Sequence, residues 1–420
     1  MTREEMLDFV QQVLGAVSVG HSVAELDEER VALVRFGRNS VTQNMDTFRR
    51  ELRLWVGDGS RKAEYRTHRI DAGAIPEVVR TAEQKLRMSS PDPEYVPPAD
   101  EGQIYPLVDA WDEETGRVEP GPRMDAASAA VEASGAAGTE AAGTSRMESS
   151  RIALATSTGN LCFHEATEGA FQITVQAGSG SSYRSVSSKA WRDIPVRSTI
   201  DEVIAEAKAS RDPSPSEPGS IDVVLEPQAV ADLVPYMLMS LDARTTDEGI
   251  TVFGDMEGKR VASEEFTLES DLHGEVPGRP FDGDGLATED QVWIDSGILR
   301  TMMCDRFWAE KSGRPAVVNP GCFGVRGAHG TASELAAQSG RCLRIRRLWY
   351  IRYVDQKSLI LTGMTRDGVF LCENGSARPV EDFRWNWRPL DLLSRIEALG
   401  TPERKGFMVV PPMLLRGVPV

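Results

Sequence analysis

No two cysteines in this 420-residue chain stand in a Cys-x-x-Cys pair, and the five present, at 162, 304, 322, 342 and 372, are scattered and odd in number. A disulfide framework is not expected, and reduced thiols of a cytosolic chain are. Long apolar runs are also missing: none approaches the ~18 residues of a membrane span. The opening Met-Thr-Arg-Glu-Glu shows no basic segment followed by an apolar one, so a cytoplasmic location away from membranes is expected. Positive charge is short. Lys and Arg number 47 against 64 Asp and Glu, a net charge of -17, which opposes nucleic acid as a partner because such affinity rests on cations neutralising phosphate. There is no GxxxxGK[ST] loop and no GxGxxG between a strand and a helix, so no nucleotide site is expected. Histidine is absent between His164 and His273.

What is there reads as an ordinary globular chain, with 40% hydrophobic and 26% charged residues, long enough for two domains of ~100–200 residues each. Met6, Phe9, Val10, Val13 and Leu14 mark an amphipathic helix. Strands follow at Val31–Phe36, Val41–Asp46 and Glu51–Val56, with turns at Gly37–Ser40 and Gly57-Asp58-Gly59, a returning strand at Lys62–Arg66 and a helix from Ile75 to Leu86. Residues 91–106 carry five prolines and read as an extended connector. The Ala- and Gly-rich stretch at 112–148 has the composition of a flexible linker. The order of elements argues otherwise. A helix at Met124–Ala133, a weak strand at 138–146, strands at Ile152–Ser157, Phe171–Gln176 and Ser182–Ser187, and a helix at Ile200–Ala209 repeat the organisation of the first ninety residues. The fold class expected is α+β: an N-terminal α+β domain over 1–218, with two related halves at about 1–93 and 122–213, and a C-terminal, mostly antiparallel β domain over 219–420.

The C-terminal part opens with a β-branched strand, Ile221–Leu225, and a helix begun by Pro227. Val230, Leu233, Val234, Met237, Leu238 and Leu241 share one face of it. This is where an enzyme would place a catalytic helix, yet it reads as chemically blank, without His, Cys or a central carboxylate. Short strands are expected at Val252–Gly254 and Glu265–Glu269, and a hairpin about Ser296-Gly297. A helix at Asp305–Lys311 is stopped by Gly313, and another is capped by Ser333. Strands at Leu343–Val354, Ser358–Met364, Gly368–Glu373 and Ala377–Arg384 are joined by turns at Arg366-Asp367-Gly368 and Glu373-Asn374-Gly375, with a covering tail through Pro411-Pro412.

Candidate chemistry is sparse. His164-Glu165-Ala166-Thr167-Glu168 is a truncated HExxH motif, with Glu168 where the second zinc-binding His belongs, and reads as a surface hairpin. Asp271, His273 and Glu275 alternate, so strand spacing puts them on one face, where Asp/His/Glu can bind a metal. A solvated loop entry is the plainer reading. Cys322 and His329 make only two ligands. Arg341, Arg344, Arg346, Arg347 and Arg352, interleaved with Trp349, Tyr350 and Tyr353, suit stacking on single-stranded nucleic acid. Against the net charge, a half-buried strand whose arginines pair with acids, or a subunit interface, is preferred.

Several pieces together resemble the TldD/PmbA family, known as modulators of DNA gyrase and metallopeptidase-like proteins. They are Arg38-Asn39-Ser40-Val41-Thr42-Gln43-Asn44; Phe281-Asp282-Gly283-Asp284-Gly285-Leu286-Ala287-Thr288 with Ile294–Leu299; Cys304–Ala309; and, most specifically, Leu361–Gly375 followed by Pro379–Asn386. The resemblance implies an N-terminal α+β domain and a C-terminal β domain enclosing a narrow groove. In catalytic members it implies a His-Glu-x-x-x-His helix after a Val-Val-Leu-x-Pro-like strand, with zinc on the His pair and Glu activating water. Aligned on Val223-Val224-Leu225 and Pro227, those positions fall at Pro235, Tyr236 and Ser240, which cannot rebuild the site. The chain is therefore similar to the PmbA/TldE-like partner. The resemblance implies a non-catalytic or regulatory subunit of a metallopeptidase that degrades or matures small unfolded peptides. No metal or cofactor is expected in this chain, zinc being in a TldD-like partner. An extended peptide would sit in the groove, for which Asp271, His273 and Arg306 are candidates. The alternatives are an unconventional metal-dependent peptidase in its own right, or a binding protein for gyrase or nucleic acid.

Overall fold

The structure is a computed structural model and describes residues 1–216 and 219–420. In the N-terminal half, helix α1 (Arg3–Gly15) leads to strands β1 (His21–Gly37), β2 (Ser40–Gly57) and β3 (Lys62–Thr67), and then to α2 (Ile75–Met88). After the proline-rich connector and the single turn α3 (Glu113–Gly116), the same order returns as α4 (Pro120–Ala136), β4 (Glu140–Thr156), β5 (Leu161–Ala177), β6 (Gly180–Ser188) and α5 (Val196–Ala209). The strands make one antiparallel sheet in the order β3-β2-β1-β4-β5-β6. Each half contributes three strands, and the halves meet where β1 pairs with β4, from Val23↔Thr156 to Phe36↔Gly143. The expected repeat is thus a pseudo-twofold arrangement within a single sheet.

The strands are longer than their apolar runs. Val41–Asp46 and Glu51–Val56 belong to one strand, as do 138–146 and Ile152–Ser157, because ladder hydrogen bonds hold polar residues in strand wherever a partner lies alongside. Alternation sets the faces. Ala24, Leu26, Leu52, Leu54, Ala153 and Ala155 turn to α1 and α2 in one core cluster, while Val34, Phe36, Phe171, Ile173 and Val175 turn to α4 and α5 in another. The Ala-rich α4 suits this place, since Ala126, Ala127 and Ala130 let the helix lie close on the sheet. Gly143 is required where β4 passes Phe36: a Cβ there would strike the Gln172 carbonyl.

From Ser220 onward the elements are β7 (Ser220–Leu225), α6 (Pro227–Leu238), α7 (Ala243–Asp247), β8 (Leu268–Ser270), β9 (Gln291–Asp295), β10 (Ile298–Leu299), α8 (Arg306–Ser312), β11 (Phe323–Val325), α9 (Ala332–Ser339), β12 (Arg341–Asp355), β13 (Ile360–Glu373), β14 (Ser376–Val380), β15 (Arg384–Trp387), α10 (Pro389–Leu393), β16 (Ile396–Leu399), β17 (Glu403–Lys405), β18 (Met408–Val410) and β19 (Met413–Pro419). They form two sheets, β10-β9-β8-β11-β18-β17 and β14-β13-β12-β7-β19-β16, with β15 beside β13. One large core lies between them, including Trp293, Phe266, Phe253, and Trp385 stacked on Trp387 with ring centroids 4.6 Å apart. The class is α+β, mostly antiparallel, with two parallel pairs, β7–β12 and β11–β18.

Local differences from expectation have local causes. Val252–Gly254 is turn leading into a short 3-10 segment. Arg366-Asp367-Gly368 is no turn but lies within β13, with Asp367 and Gly368 at positive φ and the pairing register shifted opposite them. The cap of α9 is Thr331, in a capping box with Glu334, two residues before Ser333. The segment after Pro412 does not cover the surface: β19 lies between β7 and β16, inside the sheet. The boundary expected at Pro218 lies outside the described residues.

Candidate functional site

The strand–helix unit forms as its sequence dictates. Pro227 begins α6, and Val230, Leu233, Val234, Met237 and Leu238 are buried in the C-terminal core. Pro235 lies inside the helix, has no N–H to donate, and the helix ends at Leu238. The Tyr236 hydroxyl donates to the Ile351 carbonyl at 3.0 Å, and its ring stands edge-on to Tyr353, 5.4 Å between centroids. Ser240 is buried, and its hydroxyl reaches back to the Tyr236 carbonyl at 3.5 Å.

The helix is not the blank one expected above: its sequence carries a carboxylate at mid-helix that the apolar stripe around it outweighed. Asp232 sits at its centre, half-buried, accepting from Gln228 Nε2 at 2.9 Å and from the Leu348 backbone N–H at 3.0 Å. Burial pushes its carboxyl up to about 6, against the pull of those two bonds and of the nearby Arg347 guanidinium. Beyond Ile345, β12 has lost β7 as a neighbour, and Asp232 and Tyr236 satisfy backbone groups on that free edge. These side chains do not suit zinc: Pro235 offers no donor atom, and the Tyr236 and Ser240 hydroxyls are turned to carbonyls. Among the described residues, no three of His, Cys, Asp and Glu converge on a point where a metal ion would sit.

A cavity of about 750 Å3 lies elsewhere, between the helix-free face of the N-terminal sheet and the loops of the C-terminal half. Alternation places Glu25 and Asp27 of β1, Arg53 of β2, Glu148 and Ser150 of β4, and His164 and Glu168 of β5 on that face. The Gly/Pro loop 276–283 and the turn after β17 close the other side. Arg53 forks the Glu25 carboxylate at 3.1 and 2.9 Å and donates to the Gly283 carbonyl at 2.7 Å. Arg404 joins Glu168 at 2.9 Å to the Glu275 carbonyl at 3.0 Å, tying sheet to loop. The loop keeps its own shape through Asp282, which accepts from the Asp284 and Leu286 N–H groups at 2.9 and 2.8 Å.

Three lining groups stay uncommitted. Asp27 makes no side-chain hydrogen bond among the described residues, and burial followed by the Glu25 charge raises its pKa. The guanidinium of Arg279, which acts electrostatically on Asp27 and His164, likewise makes no hydrogen bond among them, the residue being held through its backbone by Pro320 and Thr288. His164 lies in the β4–β5 hairpin, half-buried and facing the cavity, and burial first, then Arg279, lowers it to about 4, so its imidazole is neutral at pH 7. An acid, a guanidinium and a neutral imidazole thus line one cavity.

The three groove candidates do not meet there. Asp271 and His273 are exposed in a turn after β8, where the Asp271 carboxylate caps the His273 N–H at 2.9 Å. That turn breaks the alternation that was to align them with Glu275. Arg306 donates to the Pro97 and Pro98 carbonyls, clamping the proline connector onto α8. Cys322 is buried and His329 exposed. The basic and aromatic strand divides in two. Arg344 and Arg346 pair with Glu226 and Glu206, and Arg347 with Asp367, whereas Trp349, Tyr350 and Val354 are exposed. The groups missed in the sequence, Asp27, Arg279 and Asp232, carried no local signal: each is a common charged residue whose surroundings come from distant segments.

Three solved structures share this fold over essentially the whole chain. TldE from Thermococcus kodakarensis superposes with a TM-score of 0.90 at 14% identity, 99% of each chain being covered. A proposed modulator of a DNA gyrase from Thermotoga maritima gives 0.87 at 16%, over 100% of both chains. Another, from Bacteroides thetaiotaomicron, gives 0.87 at 16%, over 100% of this chain and 99% of that one. No curated protein matches the chain in sequence. The fold is thus that of TldE-like α+β proteins. Residues 218–420 match the PmbA/TldA metallopeptidase C-terminal domain, which places that part of the chain in the TldD/PmbA family.

Proposed function

We propose that the chain is the non-catalytic or regulatory subunit of a TldD/PmbA-type metallopeptidase, acting in the cytoplasm on small unfolded peptides. The observation that carries this reading is the use of α6. The helix that bears His-Glu-x-x-x-His in catalytic members here spends Asp232 and Tyr236 on the open edge of β12, and Pro235 and Ser240 add no ligand set. A TldD-like partner supplies the zinc. The cavity between sheet and loops holds the extended peptide. Asp27 and Arg279 offer opposite charges to it, and β17, an edge strand on the cavity rim, offers a backbone for it to pair with.

A partner face is also at hand. Trp349 lies between the Arg347 and Arg366 guanidinium groups, 4.6 and 4.8 Å from its ring centroid, with exposed Tyr350 next to it in the chain and exposed Met364 opposite it in the register. Arg, aromatic residues and Met are the types enriched at protein interfaces.

Co-expression with a homologue carrying an intact His-Glu-x-x-x-His helix tests the reading. A stable complex with peptidase activity and zinc is expected, while the chain alone holds no stoichiometric zinc and cleaves nothing. Tight zinc and robust cleavage by the chain alone refute it. A salt-dependent mobility shift of DNA with the chain alone would favour the nucleic-acid reading instead.

A further inference from the structure

Cys342 on β12 and Cys372 on β13 are direct partners in the antiparallel register. Residues so opposed project to the same face with Cα atoms about 4.5–5.5 Å apart, inside the range of about 4.4–6.8 Å that a disulfide spans. Both side chains pack in one apolar cluster with Leu335 and Ala336 of α9. Cys342 is fully buried and Cys372 half-buried, so a reagent meets Cys372 first.

The Cys342 thiol donates to the Ala336 carbonyl at 3.8 Å and the Cys372 thiol to the Phe370 carbonyl at 4.0 Å. The facing Cys342 thiol, aided by the nearby Arg344 guanidinium, holds Cys372 down, while Cys342 is pushed up. The other three thiols are poor nucleophiles at neutral pH, because burial pushes Cys162, Cys304 and Cys322 up to about 12, 11 and 12. The peptidase-subunit reading uses none of these groups.

We propose that Cys342 and Cys372 form a redox modification site that takes a small-molecule disulfide of the glutathione type and closes to a cross-strand disulfide. The Cys372 thiolate attacks one sulfur of the reagent, forming a mixed disulfide and expelling one glutathione thiolate, which takes up a proton from water. Cys342 then gives up its proton and attacks the Cys372 sulfur, breaking the mixed disulfide and expelling the second thiolate. The protein loses two hydrogens and two electrons, and the glutathione disulfide gains them. The bond staples β12 to β13 at the base of the hairpin whose outer end carries Trp349 and Tyr350.

Full-length protein, folded and reduced, is incubated with oxidised glutathione at neutral pH, quenched with acid and mapped by mass spectrometry. The expected product has lost two hydrogens, yields a linked Cys342–Cys372 peptide, and shows three free thiols in denaturant where the untreated chain shows five; dithiothreitol reverses it. Cys342→Ser is expected to stop at a glutathione adduct on Cys372. If the wild-type chain retains that adduct, links any other pair, or keeps all five thiols while folded, the proposal is overturned; the wild-type experiment decides it even if the variant fails to fold.

Discussion

Replacing Asp232 by Asn puts a number on the central helix. The native carboxyl is raised from 3.8 to about 6, chiefly by burial. At about 1.4 kcal/mol per pH unit, that difference caps the cost of ionising it in the folded state at ~3 kcal/mol, and partial exposure reduces this to about 2. The sign follows from proton binding. Between pH 3.8 and about 6 the native state holds the proton more tightly than the unfolded chain. The contribution is therefore complete below the unfolded pKa and is lost as pH rises through the folded one. At neutral pH the ionised Asp232 bears the full cost. An Asn oxygen still accepts from the Leu348 N–H, and the Gln228 amide can turn its oxygen to the new NH2. The Asn variant is expected to be more stable than wild type by about 1–2 kcal/mol at neutral pH, with the difference vanishing near pH 4. Urea unfolding followed by tryptophan fluorescence measures this, since Trp385 and Trp387 lie in the same core as α6. A variant less stable by the same amount at both pH values would refute the reasoning: the Arg347 charge would then compensate the ionised Asp232 in full.

Two further outcomes concern the N-terminal sheet. His164, lowered to about 4 by burial, is expected to stay neutral throughout physiological pH, so its ring proton resonances should not titrate above pH 5; a midpoint near the ordinary 6.5 would remove it from the cavity wall as described. The same depression means that its contribution to stability is present above pH 6.5 and is lost as pH falls toward 4. Gly143→Ala is expected to cost about 2–3 kcal/mol and lower the melting temperature, because its Cβ meets the Gln172 carbonyl and the Phe36 ring in a paired strand that cannot retreat; an unchanged melting curve would show that the sheet can yield there.

Patterns with a short period were legible in the sequence. The helical stripe of α6, the Ser296-Gly297 and Asn374-Gly375 turns, the Gly313 stop and the recurrence of helix, strands and helix, expected with four strands per half where three form, all depend on neighbours a few residues apart. So did the family, carried by Leu361–Asn386. Strand length was not legible, because pairing extends polar segments such as the middle of β2 beyond their apolar ends. Nor was the fate of the last residues, since β19 gains its place in the sheet from β7, nearly two hundred positions earlier.

The candidate groups divide in the same way. That Pro235, Tyr236 and Ser240 offer no imidazole, thiolate or carboxylate was decided by residue type alone. That Asp232 is a perturbed carboxyl was decided by burial, against the opposing pull of Leu348 and Arg347, brought to it across more than a hundred residues. Asp27, His164 and Arg279 share a cavity only because a loop of the C-terminal half closes over the N-terminal sheet, and Cys342 meets Cys372 only through the register of β12 on β13. Residue identity set what chemistry each position can carry. Burial and charge from distant segments decided which positions carry it, because a pKa and a partner are properties of an environment that no local stretch of chain contains.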